Sequence, residues 1–248
     1  MAEGDLDSIL TEQMVALVAK FTDLRLGQRT DGTRVVSGQL GFCTTYGEYT
    51  IETCYAVEIV IPSDYPAEAP SAFETVNRIP ATFHKMDDDS LCLGAPLEVR
   101  MKFREHPTLV DFVEMQLIPY LFSHACWERF GKMPFGDRKH GAAGILDSYK
   151  DIFETDDDVA TLDLLRILAD DNYHGHTLCP CGSGLKLRHC HGQDLLAIKQ
   201  YQSQAEFVYD HTVALIHVCK ENPDVDLRAM AAKAMKKKAR NRAKRRCP

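Results

Sequence analysis

Apolar residues recur at helical spacing near the start of the chain, at Leu10, Met14, Leu17 and Phe21, which predicts a helix capped by Asp7 or Ser8. From Arg34 to Phe42 the period changes to two, with Val36, Gly38, Leu40 and Phe42 on one face. The stretch Thr53 to Pro62 (TCYAVEIVIP) alternates more strongly, placing Tyr55, Val57, Ile59 and Ile61 together, and is rich in β-branched residues. Tyr46-Gly47-Glu48 reads as a turn between them, which makes these strands antiparallel neighbours. Pro62, Pro66, Pro70 and Pro80 break any helix beyond, and Ser71 to Val76 is a short candidate third strand. The span from Ile79 to Pro96 has no period, and irregular stretches inside compact domains tend to carry function. Helix returns after Pro107-Thr108, where Leu109, Val113, Leu117 and Leu121 repeat at four-residue steps. Thr161 is expected to cap a short helix carrying Leu162, Leu165 and Leu168. Leu195 to Lys220 reads as one helix, with Leu195, Ile198, Ala205, Val208 and Ile216 among its apolar positions.

Composition adds the class. A chain of 248 residues with 45% hydrophobic and 26% charged residues is that of a folded protein with one sizeable core and room for a small module. No apolar run approaches the roughly 20 residues that span a bilayer. The opening MAEGDLDSIL lacks a signal peptide's basic start and apolar centre, so a cytoplasmic protein without a membrane partner is expected. The net charge of −7 conceals two pieces: from Arg228 onward there are ten Lys and Arg and no acidic residue. The rest, with 19 basic against 36 acidic residues, is no nucleic-acid clamp. Only the tail offers a surface for nucleic acid or another polyanion, or folds back on the body; Lys236 to Arg246 are expected to be solvated.

Nine cysteines in a cytosolic chain are not expected to form a disulfide framework. Three of them, Cys179, Cys181 and Cys190, crowd together in HGHTLCPCGSGLKLRHCHG. An extended strand aims Cys179 and Cys181 the same way, and Gly182-Ser183-Gly184 turns the chain back. Cys190 and His191 then close the site, with His189, His176 and His174 as competing ligands. From Cys179 to Gly192 the stretch resembles the SEC-C motif, a small zinc-binding element also found at the end of the preprotein-translocase ATPase. The resemblance makes His191 the fourth ligand. Four protein ligands leave no open position, so the implied zinc is structural and serves a docking module.

A second cysteine stands in the irregular stretch, at Cys92 of FHKMDDDSLCLG. A reactive cysteine belongs on a partly exposed loop held by a rigid scaffold, whereas Cys43 and Cys54 sit in strand patterns and Cys126 beside Trp127, positions that suggest packing. The order of helix, antiparallel strands, Tyr65-Pro66 turn, third strand, His84 and Cys92-Leu93 resembles the ubiquitin-conjugating enzyme family. The matched pieces are VEIVIPSDYPAEAPSAFE, residues 57 to 74, and residues 83 to 94. Lys85 and Met86 stand where that family has proline and asparagine, and its tryptophan after the cysteine is absent. The segment from Trp127 to Tyr149, with His140-Gly141 and Gly144, is similar to divergent bacterial members found in antiphage operons.

The resemblance implies a transferase. Cys92 takes the C-terminal glycine of a ubiquitin-like protein from an activating enzyme as a thioester, and an acceptor amine displaces it. A cyclic-oligonucleotide synthase is one candidate acceptor. His84 orders the loop by hydrogen bonding, and His140 shapes the surroundings of the cysteine or carries a proton. Asp87, Asp88 and Asp89 raise the pKa of Cys92 if they are close to it.

These readings together give an α+β protein. Residues 1–153 form a ubiquitin-conjugating-like domain and 154–173 a linker with a short helix. Residues 174–192 form a SEC-C-like zinc module, and 193–248 a helix and basic tail. Two rival functions remain: an inactive variant that only binds a ubiquitin-like partner, and a zinc-dependent docking adaptor.

Overall fold

The computed structural model describes residues 3–136, 139 and 141–222. The chain divides into two compact units, residues 1–144 and 145 onward. The fold is α+β. In the first unit, helix α1 (Glu3–Lys20) precedes four strands, β1 (Leu24–Gln28), β2 (Arg34–Tyr46), β3 (Tyr49–Val60) and β4 (Ser71–Glu74). They form one antiparallel sheet in the order β1-β2-β3-β4. Helix α2 (Pro96–Glu105) follows, then α3 (Leu109–Phe112), which runs through a π turn at Val113–Leu117 into α4 (Ile118–Phe130). Pro119 follows that turn and has no N–H to return to the preceding carbonyls, a common cause of such a bulge.

The core of this unit follows the two periodicities. Tyr55, Val57 and Ile59 on β3 and Ile61 just after it, Leu10 and Leu17 on α1, and Leu109, Val113, Leu117 and Leu121 are all essentially inaccessible to solvent. Gly38 lies opposite Leu24 with φ of 145°, and a Cβ there would stand 2.0 Å from the Asp23 carbonyl oxygen, so only glycine fits.

Several elements differ from expectation. Helix α1 begins at Glu3, ahead of both expected caps. Strand β1 is an edge strand of five residues in which Leu24 alone is buried, too few positions to register an alternating pattern. Helix α2 is an element the hydrophobic pattern does not predict; half of its sequence PLEVRMKFRE is charged and it buries only Leu97 and Phe103. Cys43 and Cys54 are exposed and not core residues, because Ile51 and Tyr55 take the inner face of β3. Cys126 is buried as expected.

The second unit contains α5 (Gly141–Ile152, which begins before the division), α6 (Asp158–Ala169), α7 (Gly192–Ile198) and α8 (Gln204–Glu221). Leu146, Leu162, Ala214 and Val218 pack together, and Tyr149 and Gln202 both donate to the buried Asp210 carboxylate at 2.8 Å. Asp157, not Thr161, caps α6, accepting from the amides of Val159 and Ala160. The short helix expected within residues 154–173 is α6, and its Leu162, Leu164 and Leu165 are at 0% exposure. The single helix expected over 195–220 is two: a capping box between Ser203 and Glu206 starts α8 afresh. Val208 and Ile216 face solvent, while Phe207, Ala214 and Val218 are buried. No described helix is long and apolar enough to cross a membrane. The basic tail after residue 222 lies outside the described residues.

Candidate metal centre and cysteine loop

The chain from Thr177 to His191 folds out and back. The Cys179 amide donates to the Leu185 carbonyl and the Leu187 amide to the Thr177 carbonyl, each at 2.8 Å, bracketing the bridge between Leu178 and Lys186. Gly182 and Gly184, at φ of 79° and 75°, make the reversal. A 3-10 turn at Leu187–His189 then presents Cys190 and His191.

The donor atoms of Cys179, Cys181, Cys190 and His191 lie within 4.8 Å of one another. The Cys181 and Cys190 sulfurs are 3.5 Å apart, and His191 Nδ1 is 3.2 Å from Cys179 Sγ and 3.3 Å from Cys190 Sγ. A tetrahedron with bonds of about 2.3 Å to sulfur has edges of roughly 3.8 Å; these three separations fall a little inside that and the whole set stays within 4.8 Å, a spread close to that of a tetrahedral site. His191 Nε2 lies 2.7 Å from the carbonyl oxygen of the fully buried Phe153. A proton on Nε2 donated there leaves the Nδ1 lone pair aimed at the sulfurs, as a ligating histidine needs. Burial pushes the Cys179 thiol up to about 11. Burial acts the same way on Cys181, yet the Ser183 hydroxyl and amide and the neighbouring thiols bring it down to about 6. The donor set suits a metal such as zinc. His189 accepts from Arg188 Nε, and the rings of His174 and His176 lie against each other, 5.8 Å apart; none of the three joins the cluster.

In the first unit, the span expected to be irregular is locally ordered around Cys92. Lys85 bridges Leu91, the Met86 amide donates to Ser90, and the Cys92 amide donates to the His84 carbonyl at 2.8 Å. The result is a small hairpin with Asp87-Asp88-Asp89 at its tip, Asp89 in the left-handed region. The Asp88 carboxylate accepts from the Ser90 amide and hydroxyl, which hold it below the usual carboxylate range. Cys92 is half-buried in a cleft of about 160 Å³ lined by Pro70, Met86, Leu93, Gly94, Val99 and Arg100. That is small beside the 300–1,000 Å³ of typical small-molecule sites. Burial raises the thiol pKa, partly offset at the Gly94 backbone. The cause is thus desolvation and not the three aspartates.

His84 meets Cys92 through its backbone carbonyl, and its ring lies 4.9 Å from that of Phe83. His140 lies outside the described residues. Two neighbours escaped the sequence reading. The Tyr120 hydroxyl donates to the carbonyls of Phe83 and His84, and the buried His124 shares a 2.7 Å hydrogen bond with Tyr55. Both lie in a run that reads as a core stripe, so their only signal is a polar group on an apolar helix.

Residues 177–193 match the model of the SEC-C motif. No curated protein and no solved structure was found that matches the chain.

Proposed function

We propose that this protein is a ubiquitin-conjugating-type transferase that carries a ubiquitin-like protein as a thioester on Cys92. The observation that supports this reading best is a half-buried thiol at the exit of an ordered hairpin, in a cleft too narrow for most cofactors. A cleft of that size suits the slender C-terminus of a protein ending in glycine. The Cys92 thiolate attacks the thioester carbonyl of a charged activating enzyme; a new C–S bond forms and the enzyme's own thiolate leaves. An acceptor amine, in a bacterial antiphage setting that of a partner protein such as a cyclic-oligonucleotide synthase, then attacks the same carbon. The amine loses its proton, an amide bond forms, and Cys92 departs as thiolate. Desolvation of the thiol disfavours the free thiolate, so the cysteine depends on its partner for activation. The metal at Cys179, Cys181, Cys190 and His191 is zinc in this reading, and four protein donors leave it no open position for catalysis. Its role is to staple a docking module for the acceptor or the activating enzyme.

The test is a non-reducing gel of the protein expressed with its native gene neighbours, with Cys92→Ala alongside. The expected result is a reductant-sensitive band, heavier by one small protein, that the variant lacks. No such band beside a charged activating enzyme would refute carriage and leave a binding-only protein.

A further inference from the structure

We propose that Tyr120 is a positioning residue for Cys92: its hydroxyl, shared between the carbonyls of Phe83 and His84, holds the base of the hairpin on which the cysteine stands. The hydroxyl lies 3.1 Å from each carbonyl oxygen, and the His84 carbonyl also accepts the Cys92 amide at 2.8 Å. One acceptor therefore links the phenol of α4 to the backbone of the cysteine. The arrangement needs such a tie, because His84 is a non-glycine residue in the left-handed region, with φ of 42°. The Phe83 ring is itself gripped by one face of α4: Tyr120 at 5.8 Å, His124 at 4.9 Å and Trp127 at 5.3 Å between ring centroids. Met86, on the hairpin itself, is 47% exposed and offers no polar group for the task. Burial raises the pKa of the phenol, with the Cys92 charge a further contributor, so it stays a protonated donor throughout the working range.

The consequence for transfer rests on the thioester reading; the positioning of Cys92 does not, and the experiment separates them. Tyr120→Phe in the full chain removes one oxygen and keeps the ring against Phe83. Alkylation of each cysteine by iodoacetamide, followed by peptide mass spectrometry from about pH 6 to pH 10, reads the thiol directly. Around the cleft, Glu68 stays paired with Arg100 on α2, outside the hairpin, and Asp88 keeps its local tie to Ser90 within it. Loss of a hydrogen bond of ordinary strength is a factor of about five. Loosening the hairpin solvates the thiol, so alkylation of Cys92 at pH 7 should rise about fivefold, and its pH profile should move to lower pH. Transfer from Cys92 to an amine should fall by the same order. Exposed Cys43 should be unchanged and buried Cys126 should remain protected. An unchanged Cys92 profile overturns the proposal. So does a reactive Cys126, because the phenol would then hold the whole fold and not the hairpin. A shifted profile in a protein that never forms a thioester keeps Tyr120 as the positioning residue and refutes thioester carriage instead.

Discussion

Withdrawing the metal from the Cys179, Cys181, Cys190 and His191 cluster should unfold residues 177–191 while leaving the first unit folded. Within that stretch only Cys179 and Leu187 are buried. Two such side chains contribute about 2 kcal/mol each. Ordering the fifteen residues costs on the order of 20 kcal/mol at 1–2 kcal/mol apiece. The difference, about 16 kcal/mol, is the size of stabilisation that structural zinc supplies to small domains, roughly 10–16 kcal/mol. On the proposed zinc reading, metal bonds and not apolar contacts hold this segment. Amide exchange with and without a chelator at neutral pH checks it. The Cys179 and Leu187 amides, bonded to Leu185 and Thr177, should lose protection, while the amides of β3 keep theirs. Cys190→Ser should reproduce the chelated pattern without chelator, and elemental analysis of the wild type should find about one zinc per chain. Protection that persists at Cys179 and Leu187 in demonstrably metal-free protein would refute the reasoning.

Much of the sheet was legible because β2 and β3 are long and β3 buries every second residue from Tyr55 to Ile59. Such alternation with β-branched side chains has few competing readings. The same holds for the four-residue repeat through Leu109 and Leu121. Strand β1 and helix α2 were not legible because each buries one or two residues. Their placement comes from neighbours: β1 pairs along β2, and Pro96 at the first turn of α2 starts a helix that its charged sequence does not announce. The outward rotation of Val208 and Ile216 has a similar cause. Asp210 is a polar residue that faces inward to meet Tyr149 and Gln202, and polarity alone assigns it to the surface.

The two candidate sites differ in what the sequence can carry. The metal cluster is local: four donors within thirteen residues and a glycine turn leave little for tertiary structure to decide, apart from the choice among histidines. That choice falls to His191 because a carbonyl at Phe153, 38 residues away, orients its ring. The cysteine loop is the reverse case. Its ordering comes from Tyr120, which is 28 positions beyond Cys92 and sits among leucines and phenylalanines. A hydroxyl whose partners are backbone carbonyls leaves no complementary residue to find in the sequence.

Two further predictions concern stability. Ser203→Ala removes the side-chain half of the capping box at the start of α8, the hydroxyl that accepts from the Glu206 amide, and should cost about 1 kcal/mol. A lower urea midpoint for exchange of the α8 amides would show it, and an unchanged midpoint would mean the break before α8 is held by other contacts. The second concerns acid. Burial holds the His124 pKa below its ordinary 6.5, with Glu128 and Arg78 among the charges that face it, and its Nε2 has no partner among the described residues. Above pH 6.5 the folded and unfolded chains both carry a neutral imidazole, and the stabilisation is fully present. As pH falls from 6.5 toward the depressed folded value, the unfolded chain takes a proton that the native one refuses, so stability drops by at most about 1.4 kcal/mol per pH unit. The depressed carboxylates Asp31, Asp88 and Glu128 act only below about pH 4.5, outside this window. Trp127, the only tryptophan and 5.9 Å from the His124 ring, reports unfolding of this unit by fluorescence. His124→Gln should keep an acceptor for the Tyr55 hydroxyl and flatten the slope between pH 6.5 and 5. Equal slopes in the two proteins would mean that His124 finds a proton acceptor inside the fold, and that its burial does not oppose its charging.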